Sequence, residues 1–444
     1  DDAPELEYLK QCRTALGGHL PARRTKGDSL DIPALTIFER LLQETGEREI
    51  STTQALVQAM TLLCKDKNIG QRIVPIVPDE ARTFGMEGMF RQIGIYAHEG
   101  QKYEPVDRDQ LMYYKENQSG QLLEEGITED GAMSSWIASA TAYSNSGIQM
   151  IPFYIFYSMF GFQRIGDLVW AAGDMQARGF LIGATSGRTT LNGEGLQHED
   201  GHSQIMAGNV PNCVSYDPTF SHELMVILQN GMERMFKKQE NVFYYITTMN
   251  ENYSHPGLIK GQEKNIVKGM YLLQKGKKGK TRVQLLGSGS ILRESIAAAD
   301  LLSADFKVEA DIWSCTSFNQ LKRDGDDVSR WNMLHPDKKP KMSHVEKCLL
   351  DTDGPVVAAT DYVKLFADQI RAYVPRSYSV LGTDGFGRSD SRQALRKHFE
   401  VDRYYIAVAA LNALMEDGSV SFKTVNAAIK KYGIDPNKNN PLMS

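Results

Sequence analysis

The chain has 444 residues, too many for one ordinary hydrophobic core, so we expect two or three domains. Apolar residues make up 41% and charged residues 24%, and the formal net charge is −5, which is typical of a soluble globular protein and gives no reason to expect nucleic acid or an anionic membrane as partner. The longest apolar run, 150–162, is too short to span a bilayer.

The five cysteines are an odd number, lie far apart and never show C-x-x-C spacing. This usage argues against a disulfide framework or a structural zinc site, and it favours the reducing environment of the cytoplasm. The chain does not begin with methionine, so we expect a processed product or a part of a longer polypeptide.

Residues 1–45 are polar and are predicted to form a lead-in segment with short helices. After it, Ser51 is a typical helix N-cap, and the apolar positions that follow share one helical face. The run 72–78 then predicts a short buried strand. This strand leads into Asp79 and Glu80, at the place where a parallel sheet presents its functional groups.

Strands and helices then alternate as far as residue 274, and residues 46–274 form the first predicted domain. We predict strands over 150–157, 180–184, 212–216 and 242–248, and helices over 132–143, 161–178 and 220–236. The alternation predicts an α/β fold, with a parallel sheet that carries helices on both faces.

A smaller alternation follows the lysine-rich turn 275–280, so residues 275–444 form the second predicted domain. Its predicted strands cover 283–286, 308–313, 356–360 and 379–383, and two helices fill 401–432. The G-x-G at Gly287 and Gly289 lacks the third glycine of a dinucleotide fingerprint, so it predicts a tight strand-to-helix turn. The charged region 322–341 is predicted to be an exposed loop.

The segment 189–203 holds two histidines, three carboxylates and three glycines, and His198 and His202 have the H-E-x-x-H spacing of zinc proteases. Zinc binding needs both histidines on one helical face, but glycines surround the motif and no third ligand is signalled downstream. A plain surface loop is a second interpretation. We favour a third, a pocket rim where His198 transfers protons, because histidine is the side chain that titrates near neutral pH.

Glu129 lies between two glycines, just before the predicted helix 132–143. From the pattern alone, it is either a first-turn acid that the helix dipole favours or a functional carboxylate.

Several long motifs resemble those of one family. They are 79–88 (DEARTFGMEG), 126–129 (GITE), 151–164 (IPFYIFYSMFGFQR) and 381–390 (LGTDGFGRSD), together with the opening stretch. The family is the homodimeric, bacterial-type decarboxylase component of the pyruvate dehydrogenase complex, and the similarity covers essentially the whole chain. It implies a transketolase-like α/β fold, with a pyrimidine-binding domain for thiamine diphosphate at 46–274 and a C-terminal transketolase-type domain at 275–444.

The resemblance implies a cofactor site built from three of these motif residues. Glu129 matches the glutamate that hydrogen-bonds the aminopyrimidine ring of thiamine diphosphate and favours the imino form that activates the cofactor. Phe160 matches the aromatic residue that stacks on the same ring. Arg164 is expected to orient one of the acids of the site.

The resemblance also implies which residues face the reacting carbon. Tyr157 and His198 match two such groups, and we expect Tyr157 to position the substrate and His198 to assist proton transfer. Glu80 is expected among the catalytic residues, whereas Asp79 and Glu194 are expected to line the cofactor-binding part of the same cavity.

The sequence departs from the family at one place. The family binds the diphosphate and magnesium through a Gly-Asp-Gly triplet in its N-terminal domain, and no such triplet occurs in this chain. We therefore expect no metal ligands here. The chain resembles the C-terminal half of the family polypeptide, with magnesium held by a separate diphosphate-binding half.

The activity that the resemblance implies is oxidative decarboxylation of pyruvate in a homodimer, with acetyl transfer to the lipoyl group of a partner dihydrolipoyl acetyltransferase. One alternative is a non-catalytic half-enzyme that dimerises but is inactive without its diphosphate-binding half. A further alternative is a zinc hydrolase that acts through His198 and His202.

Overall fold

The computed structural model describes residues 3–17 and 24–444, so residues 1–2 and 18–23 of the predicted lead-in segment lie outside the described residues. The strands are β1 (Ile73–Val77), β2 (Ile95–Tyr96), β3 (Glu116–Asn117), β4 (Leu123–Glu124), β5 (Ile151–Tyr157), β6 (Phe180–Ala184), β7 (Cys213–Tyr216), β8 (Phe243–Thr247), β9 (Tyr271–Gln274), β10 (Arg282–Gly287), β11 (Glu309–Ser314), β12 (Val356–Ala359) and β13 (Tyr378–Leu381). The α-helices are α1 (Pro4–Ala15), α2 (Glu39–Leu42), α3 (Thr52–Leu63), α4 (Glu87–Gln92), α5 (Glu129–Ala140), α6 (Ala142–Ser146), α7 (Gly161–Asp174), α8 (Ser203–Asn209), α9 (Ser221–Met232), α10 (Glu263–Lys268), α11 (Ile291–Leu301), α12 (Phe318–Leu334), α13 (His344–Leu349), α14 (Leu365–Asp368), α15 (Arg392–His398), α16 (Arg403–Glu416) and α17 (Phe422–Lys431).

The first sheet has six strands in the order β4-β1-β5-β6-β8-β7, and each strand runs parallel to its neighbours. Strands that are buried on both faces are apolar along their whole length, as β5 and β6 are. Helix α3 begins after Ser51, whose Oγ accepts a hydrogen bond from the Gln54 N–H at 3.1 Å. The predicted parallel α/β sheet and the predicted helix cap are therefore confirmed.

The second sheet has five strands in the order β13-β12-β10-β11-β9, and β9 runs antiparallel to β11. Strand β9 comes before residue 275, so a strand from the segment predicted as the first domain joins the second sheet. The lysine-rich turn 275–280 thus links two strands of one sheet. In other respects, the division of the chain into domains stays a prediction.

The prediction of an exposed loop over 322–341 is wrong for most of that range, because α12 runs through it. Ser317 caps the helix, and the apolar side chains of its first turns are buried. Asp326, Asp327 and Arg330 lie on its solvent face, and Asp326 forms an ion pair one turn away with Lys322 at 2.5 Å. The dense charge is therefore the polar face of an amphipathic helix, not a sign of a loop.

Glu223, on α9, joins the first sheet region to the second sheet. Its Oε1 accepts hydrogen bonds from Tyr271 Oη at 2.8 Å and Ser314 Oγ at 2.5 Å, both in the second sheet. Its Oε2 accepts from the N–H groups of Thr219 at 2.7 Å and Phe220 at 3.0 Å. A buried carboxylate is costly unless it is hydrogen-bonded, so all four donors stabilise it, and the hydroxyls of Tyr271 and Ser314 fix α9 against the second sheet. Among the described helices, none is both long and apolar enough to cross a membrane.

Two glycine substitutions test the packing of the first domain. A Cβ at Gly183, in β6, would lie 2.9 Å from Ser158 Cβ and would also meet Tyr245 Oη, whereas a Cβ at Gly166, in α7, would have no neighbour within 4 Å. We expect Gly183→Ala to lower the free energy of unfolding by about 1–3 kcal/mol. The matched Gly166→Ala should raise it by about 0.5–1 kcal/mol, because alanine is the better helix former. Urea denaturation followed by circular dichroism measures both, and equal stability of the two variants would contradict this packing.

Candidate active site

The carboxyl edge of the first sheet gathers most of the predicted site residues. Asp79 and Glu80 follow β1. Tyr157 is the last residue of β5, and Phe160 comes shortly after it. Strand β6 leads into the loop that carries His198. The carboxyl ends of parallel strands meet at one edge of a sheet, which brings these segments together although they are far apart in the sequence.

Glu129 and Phe160 are held together by Arg164. Glu129 is the first residue of α5, its side chain is 13% exposed, and its Oε1 accepts a hydrogen bond from Arg164 Nη1 at 2.6 Å. The guanidinium carbon of Arg164 lies 4.2 Å from the centre of the Phe160 ring. Arg164 therefore makes an ion pair with the predicted activating acid and a cation–π contact with the predicted stacking ring at the same time.

Three rings pack edge to face beside this pair. The centroid of the His198 ring lies 4.8 Å from that of Tyr157 and 4.9 Å from that of Phe160, and the Tyr157 and Phe160 centroids are 6.1 Å apart. Phe84 supports Tyr157 with a further edge contact at 5.5 Å. Aromatic pairs prefer this geometry, so ring packing contributes to the position of the imidazole.

One ring nitrogen of His198 has no hydrogen-bond partner among the described residues. His198 ends a short 3₁₀ helix, Leu196–His198. Its Nδ1 is buried, has no hydrogen-bond partner among the described residues, and lies 3.7 Å from Glu194 Oε2, beyond ordinary hydrogen-bond distance. A buried nitrogen without a partner is costly, which is typical of a group that serves a reaction instead of the fold.

The H-E-x-x-H motif does not form one helical face. Asp200 accepts hydrogen bonds from the N–H groups of His202 and Ser203 at 2.9 Å each, so α8 begins only after the motif. His202 faces Gln163, with 2.7 Å between the two Nε2 atoms. Within residues 3–17 and 24–444, no group of three or more His, Cys, Asp or Glu side chains is placed to hold a metal ion. The geometry therefore gives the zinc alternative no support.

Glu80, just after the end of β1, lies in an environment that disfavours its charged form. Burial raises the pKa of Glu80, the negative charges of Asp79 and Glu129 raise it further, and the N–H of Asp79, which donates to Glu80 Oε2 at 3.1 Å, opposes this rise. Burial also raises the pKa of Tyr157, and the charges of Glu80 and Glu194 add to that effect. The site therefore raises the pKa of both groups.

The structure adds residues for which no role was predicted. Asp361, buried in the second domain, accepts hydrogen bonds from Thr189 Oγ1 and Thr190 Oγ1 at 2.7 Å each. Glu199, next to His198, accepts one through Oε2 from the Arg388 N–H at 2.6 Å. The loop that carries His198 is thus tied to the second domain. The glycine-rich motif around Arg388 was the available signal, but the sequence left its function open.

Comparison with known proteins decides the family. The family described as "Pyruvate dehydrogenase E1 component middle domain" matches residues 30–256, slightly more than half of the chain. The chain belongs to this family. The "Transketolase-like TK C-terminal domain" matches residues 269–402 of this E1-family chain. A curated relative from Cupriavidus necator, named pyruvate dehydrogenase E1 component, is 61% identical over 445 residues, which cover 100% of this chain and 50% of the relative. The chain thus spans about half the length of the curated relatives it matches.

Solved structures agree with the fold. A transketolase from Leishmania mexicana has a TM-score of 0.62 at 14% identity, over 87% of this chain and 48% of that chain. A protein described as "Split gene transketolase, inactive beta4 tetramer" has a TM-score of 0.53 at 16% identity, over 82% of this chain and 98% of that chain. The predicted transketolase-like fold is therefore confirmed for this E1-family chain.

The raised pKa of Glu80 predicts how the pH affects stability. Below its ordinary value of 4.5, the carboxyl is protonated in the folded and the unfolded chain. As the pH rises, the unfolded chain loses this proton first, so the ionised group costs stability at neutral and higher pH. We expect Glu80→Gln to raise the urea midpoint at pH 8 and to have little effect at pH 4.

Asp305→Asn is the matched control with the opposite sign. A hydrogen bond from Lys431, at 2.7 Å, lowers the pKa of Asp305, so this substitution should lower the urea midpoint at pH 8. A Glu80→Gln midpoint that equals or falls below that of the unsubstituted chain at pH 8 would contradict the unfavourable environment of Glu80.

Proposed function

We propose that this chain supplies the pyrimidine half of an active site that decarboxylates pyruvate oxidatively with thiamine diphosphate and passes the acetyl group to a lipoyl group on a partner acetyltransferase. The observation that best supports this proposal is the contact of Arg164 with both Glu129 and Phe160. It places a mostly buried carboxylate beside a partly buried aromatic ring, and an aminopyrimidine ring needs both. The curated relatives, of which this chain spans about half, carry the name of the E1 component.

The residues present fit an aminopyrimidine ring. Phe160 offers a partly buried ring on which a flat ring stacks. Arg164 occupies Oε1 of Glu129, which leaves Oε2 as the acceptor for a ring N–H. A ring seated here would exclude water from the carboxylate, and hydrogen bonds gain strength at low local dielectric.

When bound, thiamine diphosphate supplies the nucleophilic carbon and the electron sink for the loss of carbon dioxide. The side chains of this protein position the reactants and exchange protons. His198, whose Nδ1 has no partner among the described residues, accepts or donates a proton at that nitrogen. The Tyr157 hydroxyl, kept protonated by its raised pKa, donates a hydrogen bond to a substrate oxygen. Glu80, whose pKa is raised by burial, exchanges a proton with the reacting groups.

We propose that Asp79 and Glu194 line the same cavity beside Glu80, and that a separate diphosphate-binding half holds magnesium. The absence of a Gly-Asp-Gly triplet and the doubled length of the relatives support this division. The complete enzyme would be a cytoplasmic homodimer that receives the lipoyl domain of dihydrolipoyl acetyltransferase.

Glu129→Gln tests the proposed activating acid. Glutamine keeps the size and the polarity of the side chain but cannot act as an acid or a base. We expect the rate of pyruvate decarboxylation, measured after mixing the chain with a diphosphate-binding half, to fall about 10²- to 10⁴-fold. Asp130→Asn, at the exposed neighbouring position, is the control and should keep the full rate. An undiminished rate in Glu129→Gln would rule out Glu129 as the activating acid.

A second candidate function is a dimerising half without activity of its own. The split-gene transketolase described as an inactive beta4 tetramer, which this fold matches over 98% of that chain, favours it. Titration calorimetry with thiamine diphosphate and magnesium separates the two candidates. Under the first, the isolated chain gives no heat, and heat appears after a diphosphate-binding half is added. If no heat appears even after that addition, the result would favour the non-catalytic half.

A further inference from the structure

A short loop of the second domain, residues 385–388, packs directly on the turn that carries His198. A Cβ at Gly387 would lie 2.7 Å from Leu196 O and 2.9 Å from Glu199 Cβ, so the backbones touch with no room for a side chain. Such a close approach fixes the distance between the two segments. The turn in question, Leu196–His198, ends one residue before Glu199.

The contact also has a polar part that centres on Glu199. This side chain is 1% exposed, and its Oε2 accepts a hydrogen bond from the Arg388 N–H at 2.6 Å. Its Oε1 is buried without a partner among the described residues. The buried guanidinium of Arg188 donates to Gly385 O, so the loop 385–388 is bonded to the His198-bearing loop at both of its ends.

Loop 385–388 is also bonded to other segments of the chain. Asp384 Oδ1 accepts a hydrogen bond from the Lys364 N–H at 2.9 Å. The Arg388 guanidinium donates to Ser444 O, and a Cβ at Gly385 would lie 2.8 Å from Pro441 O. The surface on which the His198 turn rests is therefore a fixed part of the second domain.

We propose that Glu199 is a positioning residue, whose carboxylate sets the place of His198 against Tyr157 and Phe160 by bonding its turn to loop 385–388 of the second domain. The effect of Glu199 on catalysis rests on the proposed function, whereas its effect on the position of His198 does not. Glu199 directly follows the His198 turn, and its bond to the Arg388 N–H ties that turn to loop 385–388, so loss of this bond frees the turn to shift.

The hydrogen bond that Glu199 accepts does not depend on the charge of its side chain. Burial raises the pKa of Glu199 to about 7, while the Arg388 N–H and the positive charge of Arg188 oppose the rise. A carboxyl that bonds a backbone N–H works in both protonation states, because one of its oxygens accepts in either form. Glu199→Gln, which keeps an acceptor oxygen, should therefore preserve the bond, whereas Glu199→Ala removes it.

The test is the nuclear magnetic resonance signal of the His198 ring in the histidine-labelled chain, identified by its loss in His198→Gln. Two aromatic rings within 5 Å shift this signal by ring currents, so it reports the ring's position directly. We expect Glu199→Ala and Gly387→Ala to move the His198 signal, and Glu199→Gln to restore it. Glu416→Ala, at an exposed and remote glutamate, is the control and should leave it unmoved.

A His198 signal that stays in place in folded Glu199→Ala would overturn the proposal, and so would a general shift of every histidine signal. If Glu199→Ala does not fold, Gly387→Ala decides alone, because its Cβ would press on Leu196 O and on the Cβ and Oε2 atoms of Glu199 and so would displace the same contact. In the enzyme completed with a diphosphate-binding half, Glu199→Ala should lower kcat up to about 100-fold with little change in KM. If His198→Ala leaves kcat unchanged, the proposed role of His198 fails, but the resonance still tests its positioning.

Discussion

The site lies at the edge of the first sheet, but it depends on one buried carboxylate from the second domain. Asp361, in the second domain, is 1% exposed and receives hydrogen bonds from the backbone of Thr189 at 3.0 Å and from the hydroxyls of Thr189 and Thr190 at 2.7 Å. Burial raises its pKa, and these donors oppose the rise. A buried acid without such donors would be very costly, so the loop that supplies them cannot leave without a large penalty. The glycine-rich segment that follows is thereby anchored where it departs from the first sheet.

Arg164 has the corresponding role within the first domain, but by different physics. Its side chain is 49% exposed, so its ion pair with Glu129 contributes little to stability, as is usual for pairs in contact with water. The pair instead fixes the orientation of the Glu129 and Arg164 side chains. The planar guanidinium bonds a carboxylate at its edge while its face rests on Phe160, and a lysine would make only one of these contacts well. Anchoring by Asp361 and orientation by Arg164 are thus separate properties of one site.

The parts of the fold that follow from local chemistry could be predicted from the sequence. Apolar runs of strand length between helical patterns gave the parallel sheet, and Ser51 gave the start of α3. Local reasoning was wrong over 322–334, because a high density of charge is as typical of a helix's solvent face as of a loop. The long motifs suggested Glu129, Phe160 and Arg164, and the structure places them in contact, although their roles stay predictions. The bonds of Thr189 to Asp361 and of Glu199 to Arg388 join residues 172 and 189 positions apart, which no local pattern reveals.

The electrostatics of the site connect its stability to its proposed use. Glu80 lies in a half-buried position beside the charges of Asp79 and Glu129, and its pKa is raised in consequence. Like charges therefore repel each other at the carboxyl edge of the first sheet. A ring that donates hydrogen bonds to these acids would relieve part of that repulsion, and any ligand that binds only the folded state stabilises it. The same carboxylates that repel each other would then favour binding, so ligand binding is expected to stabilise this chain.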